Sequence, residues 1–266
     1  MFFQEVLIVI SAKFIFRFLS LVTFLQFFAL LPQAHAAFKP QVEFTLWVQG
    51  ERVLLKGKMK SGWHIYWQNP GDSGLSTSFS WSLSEKEWKF LEVKWPTPEL
   101  FKEGDLVTYG YHEEVNFPVI ISEELKGKLS DSELNVKVNW LACKHICVPG
   151  QIVLPFSYAS PLSDKMWNVA FSKIPTNFTE SNVSISFQNR GDYLEISSSK
   201  QPLYFYPQTL DLFIYEKTQF LEKKDDLYVL KVKKNSFAKS KNPLEFQGVL
   251  VWYDETAVSL AQSTEA

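Results

Sequence analysis

The chemistry of this chain centres on its two cysteines, Cys143 and Cys147, set in Trp140-Leu141-Ala142-Cys143-Lys144-His145-Ile146-Cys147-Val148-Pro149-Gly150. Bridged cysteines need Cα atoms about 4.4–6.8 Å apart, whereas four residues of continuous strand span roughly 13 Å. A bridge would therefore require the chain to turn back, most simply as a hairpin with Lys144-His145-Ile146 as its loop. Three-residue hairpin loops favour glycine at a left-handed position. None is present here, so such a bridge reads as strained and open to exchange. Lys144 and His145 put positive charge beside the sulfurs, which favours thiolate, the attacking species. Three readings of the pair stand side by side. The first is a redox couple. The second is an inert bridge, although so short a loop gains little from closure. The third is a soft-metal site, because Cys143, His145 and Cys147 alternate and would line one face of an extended strand, where they could hold Cu(I) or zinc. A structural zinc would need a fourth ligand. His64 and His112 read as ordinary polar residues, and no cofactor is expected.

The elements that must position this pair are strands. Aromatic residues are abundant, with 23 Phe, 10 Tyr and 9 Trp, and such rings pack well on a half-buried pleated surface. Alternating or β-branched runs at 42–48, 53–59, 134–141, 152–158, 183–187, 193–196, 210–215, 227–232 and 246–252 read as strands. No segment shows a sustained helical period with caps, and crossover helices for a parallel sheet are missing. The expected fold is all-β: two immunoglobulin-like β-sandwich domains, 37–160 and 180–266, joined by a linker at 161–179 with a short helix near 166–171. Residues 257–266 read as a frayed tail. Trp63, Trp67, Trp81, Trp95 and Trp140 read as packing residues, and residues 69–74 as a shaped loop. The second sandwich has neither cysteine nor histidine, so it should contribute docking or spacing and no chemistry.

Ahead of these domains, Lys13 and Arg17 precede an apolar run at 18–31, then Pro32 and Ala34-His35-Ala36. This is the pattern of a signal peptide at 1–36 cleaved after Ala36. The alternative is an uncleaved membrane anchor at 14–31, a length near the lower limit for spanning. Export would place the cysteines where a disulfide persists. A net charge of −2 without a block of like charges argues against nucleic acid as a partner.

Three ordered blocks complete the reading. They are Gly62-Trp63-His64-Ile65-Tyr66-Trp67-Gln68-Asn69-Pro70-Gly71-Asp72-Ser73-Gly74-Leu75; then Trp95-Pro96-Thr97-Pro98, Tyr109-Gly110-Tyr111 and Glu114-Val115-Asn116-Phe117-Pro118; then the cysteine segment itself. Together, over about 38–160, they resemble the N-terminal periplasmic domain of DsbD-type thiol:disulfide interchange proteins, particularly the branch with a second sandwich. The resemblance implies a periplasmic protein with a redox-active Cys143–Cys147 disulfide. Cys147 would form mixed disulfides with thioredoxin-fold periplasmic partners, and Cys143 would resolve them. Those partners serve disulfide isomerisation, cytochrome c maturation or metal tolerance. With no membrane domain before the end at Ala266, the electron donor is expected to be a separate membrane-embedded thiol protein. Two departures stand out. The spacer between the cysteines is shorter than in the best-known members. Thr108 also occupies the place of their aromatic cap residue, so Tyr109 or Tyr111 is expected to substitute, with Tyr66, Lys144 and His145 as further shielding or tuning residues.

Overall fold

The computed structural model describes residues 40–83, 86–88, 91–121, 134–216, 218–241, 244–254 and 256–264. The expected signal peptide, 1–36, lies outside them. Strands dominate, in the order β1 (Val42–Gln49), β2 (Arg52–Met59), β3 (His64–Gly71), β4 (Ser78–Leu83), β5 (Lys86–Trp88), β6 (Leu91–Val93), β7 (Glu99–Glu103), β8 (Leu106–His112), β9 (Glu114–Ile121), β10 (Leu134–Cys143), β11 (Cys147–Pro155) and the short β12 (Ser160–Pro161). One sheet has the order β12-β1-β2-β9-β6. The facing sheet runs β5-β4-β10-β3-β8-β7, with β11 added to β10. The fold is all-β and immunoglobulin-like, as the strand pattern suggested.

Period-two alternation explains the core. In β10, Val136, Val138, Trp140 and Ala142 face the other sheet and are buried, while Lys137 and Asn139 between them point outward. Trp67, Trp81 and Trp140 lie in this core, and Trp63 and Trp95 pack against it. Strand β10 uses its neighbours unevenly. Leu134–Asn139 pair with β4, only Ala142 and Cys143 pair with β3, and β11 runs along the whole of the other edge.

A connecting helix, α1 (Asp164–Phe171), starts on the hydroxyl of Ser163, which accepts from the Met166 N–H. It lies on β2: Leu162 and Ala170 pack on Leu54, and Arg52 meets Asp164 at 2.6 Å. Beyond it come β13 (Thr176–Asn177), β14 (Ile185–Arg190), β15 (Tyr193–Ser198), β16 (Pro202–Pro207), β17 (Phe220–Lys224), β18 (Leu227–Lys233), the single-turn α2 (Ser236–Lys239), β19 (Leu244–Trp252) and β20 (Ala257–Thr264). They form two four-stranded sheets, β13-β20-β19-β16 and β14-β15-β18-β17. Two expectations fail here. Residues 210–215 form no strand; Phe213 makes only an isolated bridge to Lys234. Residues 257–264 are a strand and not a frayed tail, because Val258 and Leu260 alternate into the core, each 2% exposed.

The second sandwich packs directly against the first. Tyr204, Val249 and Val251 are part of the first sandwich's core cluster. Tyr109 is walled by Tyr204, Tyr206 and Tyr215. The Tyr204 hydroxyl donates to the Glu216 carbonyl at 2.6 Å. Its one proton is then committed, so Tyr109 is the donor in the 3.0 Å hydroxyl pair with Tyr204. Buried Asn69 donates to the Pro207 carbonyl at 2.7 Å and to the Tyr215 hydroxyl at 3.2 Å, and accepts from the Gly71 N–H at 3.0 Å. Asn69→Ala should therefore lower stability by about 1–3 kcal/mol, the cost of leaving such groups buried and unpaired. Urea unfolding measures it, and a loss below about 0.5 kcal/mol would mean that water replaces these bonds.

Candidate functional site

Cys143 and Cys147 are the closing pair of the β10–β11 hairpin and are joined by a disulfide, with Cα atoms 4.1 Å apart. Lys144, His145 and Ile146 form the loop, closed by the Lys144 N–H to the Ile146 carbonyl at 3.1 Å. None of the three adopts a positive φ. The missing glycine therefore has no left-handed position to fill, and the argument for strain built on it falls away. The extended-strand metal reading of Cys143, His145 and Cys147 falls as well, because the chain reverses between the cysteines. Among the described residues no three His, Cys, Asp or Glu side chains gather as a metal site.

Strand parity decides which side chains accompany the sulfurs. Ala142 pairs with Ile65 and Ile65 with Tyr111, and all three belong to the core face. Cys143 is the next residue along and points to the sheet's outer face. Its register partner there is His64, whose own partner is His112. A row Cys147–Cys143–His64–His112 thus crosses β11, β10, β3 and β8. Parity also corrects the shielding assignment. Tyr111 and Tyr109 are on the core side: Tyr111 donates to the Pro96 carbonyl at 2.8 Å, and Tyr109 is in the contact between sandwiches. Neither reaches the face that carries the disulfide. Of the three tyrosines only Tyr66, two residues from His64, shares it.

The outer face is covered by its own neighbours. Strands β3 and β8 lose register between Tyr66 and Gly71, and the chain after Gly71 loops back over Tyr66, bridging to it at Ser76. Gly74 has φ +99°, and a Cβ there would sit 2.4 Å from the Tyr66 ring. Asp72 ties this loop to β8, accepting from the Val107 N–H at 2.8 Å. From β7, Phe101 stacks on the His64 ring with centroids 4.8 Å apart and planes at 17°. Tyr66 meets His64 edge-on at 5.1 Å. The Glu103 carboxylate lies 3.2 Å from His64 Nε2, without the alignment of a hydrogen bond. Farther along the row, His112 Nδ1 is paired with Glu99. Burial pushes the His64 imidazole below its ordinary value, with Glu103 opposing. Burial, helped by Glu103, lifts Tyr66 to about 12.

The two cysteines differ sharply in access. Cys143 is 2% exposed, whereas Cys147 lies exposed on the edge strand. Lys144 and His145 are both exposed. Lys144 extends its ammonium to the Ser61 carbonyl at 3.3 Å, across Gly62, where φ is +78° and a Cβ would meet the lysine chain at 2.9 Å. His64, Phe101, Glu103 and His112 escaped the sequence reading as site residues. Their signal is parity within β3, β7 and β8, which becomes usable only when the pairing of those strands is known.

Residues 29–154, which include both cysteines, match the family "Thiol:disulfide interchange protein DsbD, N-terminal". The match covers most of the first sandwich and just under half of the chain. Together with the Cys143–Cys147 disulfide it supports a role related to thiol:disulfide interchange. The fold is similar to the crystal structure of the N-terminal periplasmic domain of ScsB from Proteus mirabilis, with a TM-score of 0.65 and 21% identity over 84% of this chain and 92% of that one. That coverage exceeds the first sandwich, so the likeness extends into the second. A comparison with curated protein sequences gives no significant match. No helix among the described residues is long and apolar enough to cross a membrane.

After reduction, Cys147 should be alkylated at least about tenfold faster than Cys143, since reaction follows thiolate character and access. Timed iodoacetamide labelling with peptide mass spectrometry measures the two rates. Equal rates would overturn the difference in access.

Proposed function

We propose that the protein is an exported electron relay that reduces thioredoxin-fold periplasmic partners by dithiol–disulfide exchange. The observation that carries this reading is the unequal burial of two bonded cysteines that close one hairpin, Cys143 hidden and Cys147 exposed. In the reduced state the Cys147 thiolate attacks one sulfur of the partner's disulfide. A mixed disulfide forms and the partner's second sulfur leaves as a thiolate. Cys143 then attacks Cys147 Sγ, closing the hairpin bridge and releasing the partner's first sulfur. The partner gains two electrons and the Cys143–Cys147 pair loses two. A separate membrane-embedded thiol protein recharges the pair by the reverse exchange. The family match and the periplasmic setting of the ScsB domain support this assignment. Lys144 and His145, at the loop beside Cys147, would favour its thiolate through positive charge. Disulfide isomerisation, cytochrome c maturation and metal tolerance are the processes such partners would serve.

Trapping tests the division of labour. Cys143→Ser should accumulate a mixed disulfide with a thioredoxin-fold partner through Cys147, because the resolving thiol is gone. Cys147→Ser should accumulate little. Non-reducing gels with mass spectrometry of the adduct read the result, and trapping mainly through Cys143 would reject the assignment.

A further inference from the structure

The relay reading leaves one proton without a destination. Cys143 must lose its thiol proton to attack Cys147, yet it sits where water scarcely reaches, at 2% exposure. Burial disfavours the charged form of a thiol, so resolution needs a base beside it. The titratable groups on this face can be taken in turn. Tyr66 keeps its proton up to about 12 and is no base near neutral pH. His112 lies one strand farther and is paired with Glu99. Glu103 reaches His64 from β7. Lys144 is a cation held to the Ser61 carbonyl, and His145 is exposed in the loop. His64 remains. It is the direct register partner of Cys143, on the same face, where paired residues have Cβ atoms about 4.5–5.5 Å apart. Its ring is fixed between Phe101 and Tyr66.

We infer that His64 is the base that accepts the Cys143 thiol proton during resolution, with Glu103 stabilising the imidazolium that forms. This rests on the relay reading above. The S–H bond of Cys143 breaks and its proton passes to the His64 ring. The Cys143–Cys147 bond forms, and the bond from Cys147 to the partner breaks, its electron pair leaving on the partner's sulfur as a thiolate. Burial suits His64 to this part by keeping it neutral before the step, and the Glu103 carboxylate, 3.2 Å from Nε2, supplies the countercharge afterwards.

The reduced full chain, mixed with one equivalent of Ellman's reagent, separates the two steps. Attack by Cys147 releases a first thionitrobenzoate, and attack by Cys143 on the resulting mixed disulfide releases a second. His64→Gln should slow the second release at pH 7 by about ten- to a hundredfold, within the range of general-base effects, with the first release as internal reference. In the wild type the second rate should fall as pH drops through the His64 pKa, which lies below 6.5. In His64→Gln that acid limb should vanish, and the rate should simply climb with the thiolate fraction towards alkaline pH. Glu103→Gln changes a partly exposed side chain and carries the test even if His64→Gln fails to fold. Losing the carboxylate lowers the His64 pKa, so the acid limb should move to lower pH. An unchanged second release in His64→Gln, or an acid limb that stays in place in Glu103→Gln, overturns the inference. Release of a single thionitrobenzoate by the wild type would instead sink the relay reading itself, and Cys143→Ser fixes what that single release looks like.

Discussion

The site depends on the register of β10 against its neighbours. A strand's side chains alternate, so one pairing fixes the face of every residue. Seating Trp140 and Ala142 in the core obliges Cys143 to face outward. Pairing with β11 then sets Cys147 opposite it, and pairing with β3 sets His64 on its other side. A slip of one residue would turn Cys143 into the core and expose Ala142, at the expense of the whole apolar row beneath. The hydrophobic core thus holds the sulfurs in place, although neither sulfur belongs to it.

The second sandwich feeds into the same constraint from behind. Tyr109 sits on β8 between Thr108 and Gly110 on the outer face, and its core-facing ring is locked by Tyr204, Tyr206 and Tyr215. Asn69 anchors the start of the loop over Tyr66 to the Pro207 carbonyl. The two segments that shape the surroundings of His64 are therefore both fastened to residues beyond position 200. The second sandwich holds neither cysteine nor histidine, yet its contacts fasten the segments beside His64.

Much of this was legible in the chain. The turn between Cys143 and Cys147 follows from bridge geometry alone, and the β10 and β11 alternation is written in LNVKVNWL and the residues after Pro149. The strands at 64–71 and 106–112 were harder. Their sequences, HIYWQNPG and LVTYGYH, show no clean alternation of apolar and polar residues, since one face meets the core and the other is covered by a loop and by Phe101 of β7. Buried on both sides, they lose the period-two signal. Without it Tyr109 and Tyr111 looked equivalent to Tyr66, and only register shows them on opposite faces. Residues 257–264 misled for the opposite reason: Val258 and Leu260 turn into the core around an exposed Ser259, too short an apolar pattern to stand out in a polar stretch.

Exchange chemistry needs one sulfur within reach and its partner out of reach, four residues away in sequence. A loop could expose both or hide both; an edge hairpin separates them. Among the described residues β11 pairs only with β10, so a residue at its first position has no described strand on its far side. Strand β10 is internal there, flanked by β11 and β3, so the residue directly opposite is walled on both sides. The difference in access between Cys147 and Cys143 is thus a difference of one strand position in the sheet. It survives any change in loop sequence that keeps the closing pair in register.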